Sequence, residues 1–410
     1  MSFSNLKLNP NLLKALTELG YDQPTPIQQD TIGPILKQQD VMARAQTGTG
    51  KTAAFALPIL HRLAENISEG GNEGISRPIR ALVLTPTREL AQQVYKSFDR
   101  YGKYTELKSA IAYGGVSINP QIAALKQGAD VLVATPGRLL DHLTNGSVTL
   151  DKLQFLVFDE ADRMLDMGFM DEISRVLKLV PKQRQTLMFS ATFDEAILKL
   201  GNTLLNDPQL IEVDATNTAA EKVEQIIYAV DKDRKREMIS HLIGAKNWHQ
   251  VLIFVRTKQG ADALAKEMGK DGIKAVSIHG DKSQGAREKA LEDFKQGTIR
   301  ALVATDVASR GLDIPLLNYV INYELPYNAE DYIHRIGRTG RAGENGLAIS
   351  LISPDENYLL EEVEKVLDER LVAQWMPGYE PDLTKDTSGG RPNSKAQHKR
   401  SNQKKDTRGR

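Results

Sequence analysis

Eleven short apolar runs, each three to five residues long and closed by polar or Gly/Pro punctuation, constrain the fold of this chain more than any other feature. Five come early: Val41 to Ala43, Ala81 to Leu84, Val131 to Ala134, Phe155 to Phe158 and Thr186 to Phe189. Six follow beyond residue 220: Gln225 to Tyr228, Val251 to Val255, Ala275 to Ile278, Ala301 to Ala304, Tyr319 to Ile321 and Ala348 to Leu351. Apolar and polar residues do not alternate within them, so they read as strands buried on both faces. Helical stretches lie between them, and strand-helix repetition of this kind predicts an α/β fold in which a parallel sheet is wrapped by helices. Two series predict two such units. The small polar segment Asp214-Ala215-Thr216-Asn217-Thr218-Ala219-Ala220 reads as the hinge. The expected division is therefore 1–213, a hinge over 214–221, a second unit over 222–370, and an extension with a tail over 371–410. With 410 residues, 40% of them hydrophobic, there is material for two cores.

The opening segment predicts one amphipathic helix, with Asn9 as cap, Pro10 in the first turn, Leu12, Leu13, Leu16 and Leu19 on one face and Gly20 at its end. The absence of cysteine excludes disulfides and thiolate metal sites and is compatible with a reducing compartment. Met1 to Asn5 has no charged leader and no later run approaches eighteen apolar residues, so a cytoplasmic protein without membrane contact is expected. The formal net charge of zero is a cancellation. Lys385 to Arg410 holds nine Lys or Arg and two Asp, which leaves the first 384 residues at minus seven. That last segment has no large aliphatic or aromatic side chain, so it should stay disordered while attracting phosphates.

Chemistry is concentrated at the ends of two early runs. Ala45-Gln46-Thr47-Gly48-Thr49-Gly50-Lys51-Thr52 follows the first run and precedes a helical stretch beginning near Thr52. Its amides and Lys51 can cradle phosphates at a helix N-terminus, although Ala45 stands where the general phosphate-loop pattern has glycine. Asp159-Glu160-Ala161-Asp162 directly follows Phe155 to Phe158. An acid at the carboxyl end of a buried parallel strand lies where open sheets bind ligands, so Asp159 can hold magnesium and Glu160 can act on water. Together these segments read as an ATP engine. Gly-Lys-Thr occurs once, which implies one ATP per chain, bound on the first unit.

Taken in order, the motifs make the chain resemble a DEAD-box RNA helicase over nearly all of residues 3 to 341. Phe3 with Gly20-Tyr21-Asp22-Gln23-Pro24-Thr25-Pro26-Ile27-Gln28 resembles the family's adenine-reading segment. Pro86-Thr87-Arg88-Glu89-Leu90-Ala91, Gly114-Gly115 and Thr135-Pro136-Gly137-Arg138 resemble its RNA-contacting segments, and Ser190-Ala191-Thr192 its coupling motif. In the second unit the matches are Ile253 to Thr257, Gln284 with Arg287, Ala304-Thr305-Asp306 through Arg310-Gly311-Leu312-Asp313, and His334-Arg335-Ile336-Gly337-Arg338-Thr339-Gly340-Arg341. The long similarity in the second unit and the short basic tail resemble the RhlE-like bacterial subgroup. Three departures are Gln23 in place of a charge, Ser309 in place of alanine, and the near absence of a specificity domain.

The resemblance implies two tandem RecA-like domains, each a mostly parallel sheet flanked by helices, and an RNA-dependent ATPase. It assigns Phe3, Tyr21, Gln28, Ala45, Gln46, Thr47, Gly48, Thr49, Gly50, Lys51, Thr52 and Asp313 to the nucleotide, and Thr52 and Asp159 to Mg2+. Gln28 carries the donor and acceptor that an adenine edge requires. Lys51, Asp159, Glu160, Arg338 and Arg341 are the expected catalytic set, the two arginines reaching the γ phosphate when the cleft closes. RNA falls to Pro86, Thr87, Arg88, Gly115, Thr135, Gly137, Arg138, Thr257, Gln284, Arg287 and Thr305, which offer amides, hydroxyls and arginines suited to backbone rather than bases. Asp162, Ser190, Thr192 and His334 would link the two units across the cleft. The implied activity is local, non-processive unwinding of short RNA duplexes, with ribonucleoprotein or RNA-decay assemblies as its setting. An ATP-gated RNA clamp or annealing chaperone using the basic tail, and a DNA helicase, are the other classes considered.

Overall fold

In the computed structural model, residues 2–45, 48–65, 77–213, 223–309, 314, 317–339, 346–382 and 384 are described. The hinge expected at 214–221, the basic tail from 385, and Gln46, Thr47, Asp313 and Arg341 lie outside them. Two compact units form, each around a seven-stranded sheet whose recorded strand pairs are all parallel. The first contains β1 (Val41–Arg44), β2 (Ala81–Leu84), β3 (Ser109–Ala112), β4 (Val131–Ala134), β5 (Phe155–Asp159), β6 (Gln185–Ser190) and β7 (Gln209–Glu212). The second contains β8 (Val223–Ala229), β9 (Val251–Phe254), β10 (Ala275–Ile278), β11 (Ala301–Ala304), β12 (Tyr319–Asn322), β13 (Gly346–Ile352) and β14 (Ala373–Gln374).

The strand orders are β3-β4-β2-β5-β6-β1-β7 and β10-β11-β9-β12-β13-β8-β14. Subtracting seven from each label of the second gives the first, so one topology is used twice.

Each apolar run feeds two cores, because successive side chains on a strand point to opposite faces. Val83, Val133, Val157, Leu187 and Phe189 join the cluster containing Phe55 and Phe98. Leu82, Leu84, Leu132, Leu156, Phe158 and Met188 join the one under the other face. Central parallel strands are therefore apolar along most of their length, Thr186 in β6 and Ser350 in β13 being buried exceptions. The strands that sequence patterning does not pick out, β3, β7 and β14, all lie at sheet edges. In β7 only Ile211 is buried, and β14 is two residues long with both exposed.

The first helix runs Pro10–Glu18, with Asn9 Oδ1 accepting from Asn11 N at 2.9 Å. Leu12, Ala15 and Leu16 are buried, whereas Leu19 is exposed, since it falls past the last helical turn. Asn9 N donates to His61 Nδ1 at 3.0 Å, which ties this segment to the helix Lys51–Glu65. Past residue 370, Leu371 is buried, β14 pairs with β8, and Met376 and Tyr379 pack on the second core.

Arg335, 1% exposed, fastens the second unit internally. It grips Asp306 with Nε at 2.6 Å and Nη2 at 2.8 Å, and its Nη1 donates to Asn322 Oδ1 at 3.2 Å and to the Glu324 carbonyl at 2.6 Å. Removing one partner of a buried ion pair strands the other. Arg335→Ala is expected to lower the stability of the second unit by about 3 kcal/mol or more. Both tryptophans, Trp248 and Trp375, lie in that unit, so their fluorescence in a urea titration reads it directly. An unchanged midpoint would contradict the fastening role.

Candidate nucleotide and RNA site

In the first sheet the carboxyl ends of the adjacent strands β5, β6 and β1 carry the ATP motifs. Ala45 N continues the ladder to Ser190 O at 2.9 Å, and the chain turns through Gly48 and Gly50, both at positive φ, into the helix that begins at Lys51. A Cβ at Gly50 would fall 2.4 Å from Gln28 Nε2, so glycine is required for this approach. The Gln28 amide donates to Gly50 O at 3.1 Å while its Oε1 accepts from Thr25 N at 3.0 Å. Gln28, expected to read adenine, thus touches the glycine-rich turn directly. Tyr21 is exposed, with its ring 6.1 Å from that of Tyr101. Phe3 instead is buried in the core with Leu8, Leu12 and Ile27.

Lys51 is buried with no partner for Nζ, and so are Asp159 Oδ1 and Glu160 Oε2. Unsatisfied charged groups of this kind are costly in a folded interior and mark a site built for a ligand. A phosphate fits the lysine, and a divalent cation fits the carboxylate together with the half-buried Thr52 in the first turn of the helix. Burial pushes the Asp159 carboxyl up to about 7, and Glu160 and Asp162 add to the rise, while the Lys51 charge opposes it. Glu160 sits in the left-handed region at φ 57, ψ 56. That conformation is strained for a side-chain-bearing residue and recurs where geometry serves chemistry. Asp162 Oδ2 accepts from Ala191 N at 3.3 Å, and Thr192 N approaches Ser190 Oγ at 3.4 Å. Thr192 Oγ1 and Asp162 Oδ1 are buried without partners. The acidic strand end and the coupling motif are therefore already joined within the first unit.

The other half of the same sheet edge, at β3, β4 and β2, carries the RNA motifs. Thr87 caps the helix Arg88–Tyr101 through Leu90 N at 3.3 Å. The Arg88 guanidinium lies against Gly115, where a Cβ would sit 1.9 Å from Nη1. Thr135 and Pro136 are buried at the start of the helix Pro136–Thr144, and Gly137 is exposed.

Gln121, absent from the sequence expectations, joins these motifs. It donates to Tyr113 O at 3.0 Å, and its Oε1 accepts from Arg138 Nη1 at 3.1 Å and faces His142 Nε2 at 3.2 Å. Arg138 also donates to Val116 O at 2.8 Å. Burial first and the Arg138 charge second hold His142 below its ordinary value, and because the Gln121 amide oxygen can only accept, Nε2–H is the donor in that contact. No local pattern announces such a residue, since its partners are eight to twenty-one positions away.

The second sheet repeats the layout. Arg256-Thr257 follows β9, Thr305 follows β11, and Gln284 and Arg287 open the helix Gln284–Lys295 after β10. Thr257 caps the helix Lys258–Lys270 through Gly260 N at 3.0 Å, as Thr87 does in the first unit. Thr257 is exposed, while Thr305, Gln284 and Arg287 are buried. His334 lies on the helix Ala329–Ile336, and Arg338 follows it, half-buried.

The raised Asp159 gives a pH test. A carboxyl whose folded value exceeds its unfolded one contributes stability below about pH 4 and loses it as pH rises through about 7. In nucleotide-free protein, Asp159→Asn should therefore match the parent at pH 4 and exceed it at pH 8 by roughly 4 kcal/mol. Thermal or urea unfolding at both values checks this. The same difference at both pH values would contradict it.

Comparison with known proteins agrees with this arrangement. Residues 25–200 match the DEAD/DEAH box helicase model, and residues 234–343 match the helicase conserved C-terminal domain. The chain is 42% identical to the DEAD-box ATP-dependent RNA helicase RhpA of Helicobacter pylori over 370 residues, which is 90% of this chain and 73% of that one. It is 41% identical to the ATP-dependent RNA helicase RhlB of Pseudomonas syringae over 380 residues, 92% of this chain and 95% of that one. Among solved structures it resembles S. cerevisiae Dbp5 bound to RNA and ADP BeF3, with a TM-score of 0.80, 31% identity and coverage of 93% and 95%. With its two RecA-like sheets and its motifs at their carboxyl ends, the chain belongs to the DEAD-box ATP-dependent RNA helicases.

Proposed function

We propose that this protein binds one ATP on its first unit, binds RNA through its backbone, and couples hydrolysis to local, non-processive opening of short RNA duplexes. The observation that carries this reading is the group Lys51 Nζ, Asp159 Oδ1 and Glu160 Oε2, all buried and without partners in a chain of this family. The relative of known structure, Dbp5, is described with RNA and ADP BeF3, which supports the same pair of ligands here.

In this reading Lys51 neutralises phosphate charge, and Gln28 selects adenine while resting on Gly50. Bound Mg2+ would supply charge neutralisation at phosphate oxygens, with Thr52 and Asp159 as the residues that would hold it. Glu160, fixed by its left-handed backbone, orients water and accepts its proton. Arg338 and Arg341 act on the γ phosphate, so turnover requires groups from both units. Asp162, bonded to Ala191 N, links the acidic strand end to Ser190 and Thr192.

The non-processive mode follows from magnitudes. Opening half a dozen base-pair steps costs roughly 8 kcal/mol at about 1.4 kcal/mol each, within reach of one nucleotide cycle, while long duplexes are not. Among the described residues no helix is long and apolar enough to cross a membrane. A cytoplasmic setting and the RhlE-like assignment within the family belong to the same proposal.

The test is ATP turnover without nucleic acid, with single-stranded RNA and with DNA of matched sequence. RNA should stimulate strongly and DNA weakly. Glu160→Gln should lose turnover by 100-fold or more, on the order of a general-base deletion, and keep ATP-dependent RNA binding. Equal stimulation by DNA would overturn the assigned partner, and loss of ATP binding in Glu160→Gln would overturn the role of that residue.

A further inference from the structure

The RNA-assigned groups of the second unit occupy the carboxyl ends of three adjacent strands, β10, β11 and β9, and the next strand on is β12. Just past its end stands Tyr327, 66% exposed, the most exposed aromatic ring among the described residues. The ring lies 4.9 Å from the Arg256 guanidinium, in cation–π range. Arg256 immediately precedes Thr257, one of the RNA-assigned groups.

What lies beneath the ring is rigid. Arg256 N donates to Glu324 Oε2 at 2.7 Å, and its Nη2 donates to Glu356 Oε1 at 2.6 Å. The other Glu356 oxygen is bonded by Lys235 Nζ and by Ser353 Oγ, the latter at 2.9 Å. Lys235 also donates to Leu351 O at 2.9 Å and Tyr323 O at 3.2 Å. Lys235 and Glu356 are almost wholly buried. Two carboxylates, one of them backed by Lys235, thus hold the guanidinium, and the tyrosine ring lies over it.

We propose that Tyr327, seated on Arg256, is a stacking platform for one nucleobase of the bound RNA strand. The proposal rests on the reading of Thr257, Thr305, Gln284 and Arg287 as RNA-backbone groups, and it adds a base contact to a surface otherwise suited to phosphates and 2′-hydroxyls. Adjacent strands are about 4.8 Å apart, so the end of β12 lies one short step beyond the Thr257 position along the line those groups mark. Aromatic faces stack any base, so the contact is sequence-tolerant, and a ring already resting on a held guanidinium has less freedom to lose on binding. If the tyrosine only shielded the Arg256 ion pairs from water, its exposed face would contribute nothing to RNA.

The experiment uses the full chain with a non-hydrolysable ATP analogue and Mg2+. Single-stranded RNA probes carry one abasic nucleotide walked along the strand. Tyr327→Ala should weaken binding of intact RNA roughly 5- to 100-fold, the range for one lost base stack, and Tyr327→Phe should stay within about twofold of the parent. At one probe position the abasic lesion should weaken the parent by a similar factor and leave Tyr327→Ala unaffected. Binding by Tyr327→Ala within twofold of the parent would overturn the platform. So would a loss that persists unchanged at every abasic position, the pattern of a shielding role. Arg287→Ala separates the two readings. If it weakens all probes while Tyr327→Ala weakens none, only the platform falls. If neither variant weakens binding, the backbone reading falls with it.

Discussion

A parallel strand buried on both faces can offer chemistry only where it ends, and that constraint organises both units. Central strands give alternate side chains to two cores, so their length is mostly apolar, and a buried polar group such as Ser350 of β13 is kept only with a partner, here Asn322 Nδ2 at 3.0 Å. Ligand-binding groups are therefore displaced to the carboxyl ends, where the chain turns into a helix with free amides. In the first sheet this edge divides cleanly. Strands β1, β5 and β6 carry the groups we assign to nucleotide, and β2, β3 and β4 those we assign to RNA. Because β2 and β5 are hydrogen-bonded neighbours, the two halves meet at a single strand boundary.

Charge burial separates the reactive site from the staples around it. Burial pushes Glu356 up, but Lys235 and Arg256 outweigh it and hold the carboxyl below its ordinary value. Asp306 is likewise gripped on both oxygens by Arg335. Asp159 is as deeply buried, yet the opposing Lys51 charge does not offset burial and two neighbouring acids, and its carboxyl rises to about 7. The same interior thus completes some charge sets and leaves Lys51 Nζ, Asp159 Oδ1 and Glu160 Oε2 without hydrogen-bond partners, where phosphate and cation fit.

Most of this was legible before any coordinates. The central strands announce themselves as apolar runs, and the segments around Lys51 and Asp159 bear chemistry that the apolar context makes specific. The edges were not legible: in β7 one residue of Gln209–Glu212 is buried, and β3 alternates half-buried with buried positions. Leu19 was expected on the buried helix face, but the helix ends before it. Residues whose work is long-range were also silent. Gln121 joins three segments through one amide, and Arg335 reads as part of a basic cluster until its burial is seen. The left-handed backbone of Glu160 has no sequence signature at all. Patterning reports burial along a strand or helix, and it cannot report which distant groups converge at its end.

The central claim is that nucleotide and RNA occupy two halves of the carboxyl end of one sheet, which meet at the β2–β5 boundary. If so, each ligand must change the affinity for the other by the same factor. The most direct measurement is the affinity for single-stranded RNA with and without a saturating non-hydrolysable ATP analogue, paired with the analogue's affinity with and without RNA. The account predicts mutual tightening by equal factors of roughly tenfold or more, within the range of allosteric coupling. Affinities that do not respond to the other ligand would mean the two halves work independently, and would contradict it.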